Sequence, residues 1–366
     1  MLVPSSSSPS FVKKFYIALA LILVAAVCDC NVVNGVSLKR VISSRILDQK
    51  ISEKKVIDSP LLTERIRTNR TIVVDIKGKG DYKSVQAAID SVPEGNSQWI
   101  IIHVRKGIYR EKVQVPKNKP YIFMRGNGKG RTSIVSSQSS PDNVESATFK
   151  VEASNFIAFG ISFKNMAPTG VAQTSQNQSV AAFVAADKVA FYHCGFFSSH
   201  NTLFDYKGRH YYESCYIQGS IDFIFGRGRS IFYNCEIFVI SDRRLEIHGS
   251  ITAQNRESAE DNSGFVFVKG EVYGTGQVYL GRAKGGYSRV VFAETYFSRT
   301  ISPQGWTNWS YDGSTENLYH AEYKCKGPGS EFGDRASWAK QLSDPEAAPF
   351  LSVDFVDGKQ WLPVWI

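Results

Sequence analysis

The sequence predicts an all-β chain wound as a parallel β-helix with short helical caps, and three observations carry that prediction. Cys194, Cys215 and Cys235 recur at separations of 21 and 20 residues. The run Asn155–Phe163 is echoed by Lys188–Phe196, His210–Ile217 and Ser230–Ile237, each rich in β-branched and aromatic residues. Between these runs stand Gly, Asn, Asp and Ser turns rather than helical segments; a sandwich or barrel would more often show hairpin signals such as Asn-Gly. A period near 20 residues matches one coil of a β-helix, whose inward residues stack on those of the coil before.

The elements follow in chain order. Lys13-Lys14 precede an apolar run from Phe15 to Cys28 with Ala25 and Ala26 near a cleavage point, which reads as a secretory signal peptide over residues 1–30. The run is too short for a membrane span. Residues 31–70 are polar, rich in Lys, Arg and Ser and without sustained periodicity, and read as a flexible leader. Residues 71–366 form one domain. It opens with the strand Thr71–Val74, turns at Gly78-Lys79-Gly80, and continues into a short helix with Val85, Ala88, Ile89 and Val92 on one face. A strand over Trp99–Val104 follows, and the repeated coils run on to about residue 300.

With 366 residues, 43% of them hydrophobic, the chain has the composition of a folded protein with a sizeable core. The formal net charge of +9 in a secreted protein points to an acidic partner. Outside the cell a polyanionic polysaccharide fits and nucleic acid does not; a solvated basic surface is the alternative. Export leaves Cys194, Cys215, Cys235 and Cys325 in an oxidising medium, where three complete pairings are open, as is simple stacking of small core residues. Asn69, Asn177 and Asn308 head glycosylation triplets.

Asp222 is the candidate centre. It opens the run Asp222-Phe223-Ile224-Phe225-Gly226, where a carboxylate stands in an apolar strand and needs a compensating partner. Asn201, in His200-Asn201-Thr202-Leu203, lies 21 residues earlier. One coil apart, the two should sit side by side, about 4.8 Å apart along the axis.

These residues resemble the pectin methylesterase (pectinesterase) family, from about residue 71 to the C-terminus. Gly107-Ile108-Tyr109-Arg110-Glu111 matches the family's Gly-x-Tyr-x-Glu, and Gln178-Ser179-Val180-Ala181 is similar to its Gln-Ala-Val-Ala. Asp222–Gly226 matches its Asp-Phe-Ile-Phe-Gly, and Leu280-Gly281-Arg282 begins its Leu-Gly-Arg-Pro-Trp. The resemblance is to plant members, without the long inhibitor-like pro-region many of them carry. It implies a right-handed, single-stranded parallel β-helix with an external cleft, hydrolysing methyl esters of galacturonate units in cell-wall pectin without metal or organic cofactor. It implies Asp222 as nucleophile, Arg282 as the residue that holds it, and Gln178 and His200 at the oxyanion positions. Thr148, Trp306 and Lys284 fall at substrate-binding positions, Trp306 as an aromatic wall. Tyr109 and Glu111 read as structural. Implied partners are methylesterified homogalacturonan and a proteinaceous pectinesterase inhibitor, for a secreted, glycosylated monomer of the cell wall.

Two departures stand out. The family's Gln-Asp-Thr-Leu is here His200-Asn201-Thr202-Leu203, so the family's proton donor is replaced by an amide with no proton to give near neutral pH. The family's Pro-Trp is here Ala283-Lys284, so a cation replaces an aromatic platform. Two readings follow: an esterase, weakened or with His200 taking over acid–base work, or an inactive relative that binds pectin. A polygalacturonase would need clustered carboxylates and a pectate lyase a calcium site, and neither grouping surrounds Asp222.

Overall fold

The computed structural model describes residues 57–168, 177–240, 249–309 and 311–366. The signal peptide and most of the leader lie outside the described residues. Among the described residues, three parallel sheets of eleven, eight and eight strands run side by side along the chain's winding. Each full coil gives one strand to each sheet, as Arg209–Glu213 to the first, Tyr216–Gly219 to the second and Ile224–Gly226 to the third. The fold is the right-handed parallel β-helix that the period predicts.

Register confirms the repeats. Val189 pairs with His210 and His210 with Ser230, steps of 21 and 20 residues. Later coils are longer: Ser230 pairs with Phe265, 35 residues on. Inside, Phe191, Tyr212, Phe232, Phe267 and Phe292 stack one per coil, with successive centroids 5.2, 4.5, 4.5 and 4.3 Å apart. The four described cysteines are free, with Cys194, Cys215 and Cys235 buried at matching positions, so stacking and not pairing is what they do.

Corners between sheets use single left-handed residues. His193, Ser214 and Asn234 turn the chain from first to second sheet with φ of 52°, 51° and 50°. Asn201 and Asp222 do the same from second to third, at 51° and 46°. Asp and Asn tolerate this region better than other side chains, which suits the same corner in both coils.

The helical pieces divide into two roles. Val85–Asp90 packs Val85, Ala88 and Ile89 onto the N-terminal end of the interior and is the expected cap. Its first turn is closed by Glu111, whose carboxylate accepts from Val85 N at 2.8 Å, Gln86 N at 3.0 Å and Ser84 Oγ at 2.7 Å. Tyr109 is buried with its hydroxyl on the Arg105 carbonyl, so both motif residues are structural, as expected. Glu111→Ala strands donors at a helix start and should lower unfolding free energy by about 1–3 kcal/mol, read from urea melts. Apart from the single turn Asn143–Ser146, which borders the third-sheet cleft, the remaining helical pieces cover the flank of the first sheet. There Leu62 and Ile66 of the helix Ser59–Ile66, with Phe350 and Phe355, pack on Ile101, Phe123 and Ile231. The compact unit therefore begins at Ile57 and takes in the end of the segment expected to be a flexible leader. With both faces of its sheet covered, Val189–Tyr192 is buried at every position.

Within the coils a polar network replaces apolar packing. Asp205 accepts from Ser230 Oγ at 2.8 Å and Tyr212 Oη at 2.7 Å, and meets His210 Nδ1 at 3.0 Å. Asp205, His210 and Ser230 are all fully buried. Glycine makes the room: a Cβ on Gly228 would stand 1.5 Å from Asp205 Oδ1, and one on Gly226, at φ 125°, 2.0 Å from its carbonyl.

Candidate active site

The third sheet positions the site. Its outward row runs Lys150, Phe183, Phe204, Phe225, Ala253, Arg282 and Thr307 by register. Phe204 stacks on Phe225 at 4.4 Å and Phe183 lies 5.1 Å from Phe204, forming an aromatic floor. Two residues further along the strands come Tyr206, Arg227, Asn255 and Lys284. Over this floor lies an open cleft of about 620 Å³, bordered by Phe204, Phe225, Tyr206, Asn143 and Lys284.

Asp222 stands at the corner beside the floor, its side chain 14% exposed. Arg282 grips it through Nε, 2.9 Å from both carboxylate oxygens, and Nη2, 2.6 Å from Oδ2. Ser250, at the register position one coil on, donates to Oδ1 at 2.5 Å. Two-point contact fixes the plane of the carboxylate and supplies its countercharge. The exposed edge of the acid is left facing solvent. Trp309, 49% exposed, lays its ring 5.3 Å from the Arg282 guanidinium and walls this side of the site.

Asn201, on the preceding corner, uses its amide to donate to Asn143 Oδ1 and to Gln178 Oε1, both at 2.9 Å. Holding Gln178 by its carbonyl end turns the Nε2 end away from Asn201. His200 places Nε2 3.4 Å from the Asn177 carbonyl. Lys284 has its ammonium pushed down from the ordinary lysine value, first by desolvation and then by the Arg282 charge, with Asp222 opposing.

Two expected substrate contacts are corrected. Trp306 is wholly buried, stacked on His320 at 4.5 Å with Nε1 on Glu322 at 3.3 Å. It pairs in register with Gly281 on the inward row, and the missing side chain of Gly281 leaves space for its ring. Trp309 is the exposed aromatic. Thr148 is also fully buried, its hydroxyl spent on the Lys164 carbonyl at 3.1 Å, and it fastens coils instead of meeting substrate.

The pectinesterase family model matches residues 71–359. The chain belongs to the pectinesterase family. It is 71% identical over 308 residues to probable pectinesterase 67 of Arabidopsis thaliana, covering 84% of this chain and 90% of that one. Among solved structures it resembles pectin methylesterase from carrot, at 31% identity and a TM-score of 0.74 over 80% of this chain and 94% of that one. The pectin methylesterase of Aspergillus niger is similar at 27% identity and a TM-score of 0.69, over 80% and 95%.

Ser250, Asn143, Trp309 and the aromatic floor are site residues that sequence reasoning missed. The floor left a signal, since Phe183, Phe204 and Phe225 are spaced 21 and 21 residues apart. Ser250 left none, because it follows Asp222 by 28 residues and breaks the period.

Proposed function

We propose that this pectinesterase hydrolyses methyl esters of galacturonate units in cell-wall pectin through an acyl-enzyme on Asp222, giving pectate and methanol. The observation that carries the reading is the two-point grip of Arg282 on an Asp222 that stays partly exposed at the corner beside the aromatic floor. A carboxylate oxygen of Asp222 attacks the ester carbonyl carbon, and the oxyanion that forms takes a hydrogen bond from Gln178 Nε2. Collapse breaks the bond to methoxide, which leaves as methanol with a proton from water, since Asn201 has none to give. Water then attacks the mixed anhydride, giving the galacturonate carboxylate, the restored Asp222 carboxylate and two protons, one of which neutralises the hydroxide left when methanol formed. The reading extends to a secreted, glycosylated monomer acting in the cell wall, open to a proteinaceous inhibitor.

The second reading, binding without turnover, is favoured by one observation: both amide hydrogens of Asn201 are committed to Asn143 and Gln178. Methanol release from highly methylated pectin decides between them. The purified protein is expected to release methanol above an Asp222→Ala control. Equal release by the two proteins, with pectin still bound, would leave the binding reading.

A further inference from the structure

The outer faces of the three sheets differ in what lies on them. Helical pieces cover the first, and the cleft lies on the third. On the second sheet, register places Arg110, Lys164, Phe197, Gln218, Phe238 and Tyr273 in one outward row that starts at the edge strand Gly107–Arg110. At ~4.8 Å per strand that row is about 29 Å long. Its aromatic rings are partly exposed and belong to none of the packed clusters. Tyr216, in the adjoining row, lies 5.1 Å from Phe197 and 6.2 Å from Phe238, so the rings form a strip. Gly195 lets Phe197 lie back against the sheet, since a Cβ there would stand 2.6 Å from its ring. Lys164 Nζ is 4.6 Å from the centroid of the same ring. Beside the edge strand, Lys77, Lys106, Gly107 and Arg131 line an open depression of about 590 Å³. None of Arg110, Lys164, Lys77, Lys106 and Arg131 forms an ion pair with a carboxylate among the described residues, whereas Arg105 and Lys150 are held by Asp75 at 2.9 Å and Glu145 at 2.8 Å. The acids of this face, Glu236 and Glu271, stand in the adjoining row beyond Tyr216, and Lys129 meets Glu236 at 3.5 Å.

We propose that the outer face of the second sheet is a non-catalytic binding site for an acidic polysaccharide, which lies across the strands from the basic end onto the aromatic strip. Charge complementarity selects this occupant. A sugar ring offers an apolar C–H face that packs on Phe197 and Phe238, and a uronate unit adds the carboxylate that Lys164 and Arg110 otherwise lack. A neutral polymer would use the rings and leave the cations unanswered. An acidic chain is kept to the row of Arg110 and Lys164 by Glu236 and Glu271 in the row alongside. The enzyme then holds one stretch of charged polymer on this face while the cleft of the third sheet works on another. Binding here requires no turnover, so the inference stands or falls apart from the esterase reading.

The test measures calorimetric Kd values for polygalacturonate, the fully de-esterified polymer, with the full-length protein. Arg110→Gln combined with Lys164→Gln should weaken binding by about tenfold at low salt, a loss that fades as salt is raised. Lys117→Gln combined with Lys340→Gln removes the same charge from exposed positions elsewhere and should change Kd by less than about twofold. Phe197→Ala and Phe238→Ala should each weaken binding severalfold, and this loss should persist in salt. The kcat/KM for methanol release from a short methylated oligosaccharide, bound in the cleft alone, should stay the same in all these variants. Equal weakening by the two charge pairs would mean that only net charge matters and would overturn the proposal, as would a Kd that ignores both aromatic substitutions. Should a ring variant fail to fold, the comparison of the two charge pairs still decides. If nothing is turned over the esterase reading fails, and the Kd values still show whether this face binds.

Discussion

Asn201→Asp is expected to raise the rate of methanol release by ~10²- to 10⁴-fold, the range that a positioned general acid–base group contributes. The backbone asks nothing of the substitution, because Asp222 already occupies the equivalent corner at φ 46°, beside the 51° of Asn201. The new carboxyl would stand one coil from Asp222, and repulsion between neighbouring carboxylates raises the pKa of one of them. That is the condition for holding a proton near neutral pH. The surrounding amides adapt: Asn143 and Gln178 now offer oxygens to Asn201, and each needs only to rotate its amide to offer nitrogen instead. An NH₂ group has two hydrogens, so Gln178 can serve residue 201 and an oxyanion together. A methanol assay on the natural protein, Asn201→Asp and Asp222→Ala checks the expectation. Absence of any gain would mean that the cleft around Asp222 is no longer arranged for turnover, whatever stands at 201.

The same comparison shows which features a sequence can carry. The β-helix was legible wherever coils keep a constant length, and Asn201 beside Asp222 followed from a single subtraction. Once a coil lengthens, as from Ser230 to Phe265, counting fails and only hydrogen-bond register aligns the residues. Ser250 was lost for that reason, although it donates directly to the nucleophile. The choice between Trp306 and Trp309 failed differently. Strand alternation is decisive only once the register against Gly281 is known, and a motif alone gives no inward or outward sense. Glu111 shows the reverse case, a motif residue whose purpose is to close a helix that begins 26 residues before it.

The largest effect on stability is expected at Asp205, buried inside the coils and far in function from catalysis. Asp205→Ala should lower unfolding free energy by about 3–5 kcal/mol, because it leaves an uncompensated charge on His210 and strands two hydroxyl donors. His210 is the charged member by geometry: its Nδ1 meets Asp205 at 3.0 Å and its Nε2 the Ala186 carbonyl at 2.8 Å, and two acceptors require two N–H groups. Burial alone would push its pKa down, but the Asp205 charge and hydrogen bond prevail and hold it above 6.5. A raised histidine stabilises fully below its unfolded value, and the contribution is lost as pH climbs through the folded value. His320 is the opposite case. Trp338 donates to its Nδ1, which must be bare, and burial pushes its pKa down to about 3. It therefore penalises the fold increasingly as pH falls below 6.5. Glu213, raised to about 7 by burial against the hydrogen bond from Tyr211, loses stability as pH rises from 4.5 toward 7. Asp205 is not a cause of either shift, so both cancel in the difference between the natural and Asp205→Ala stability profiles. What remains belongs to His210 and its partner: urea-derived stabilities should differ most below pH 6.5 and converge as pH rises beyond it. A difference that stays flat from acid to alkaline pH would mean that His210 is neutral inside the coils and that the pair is held by hydrogen bonds alone.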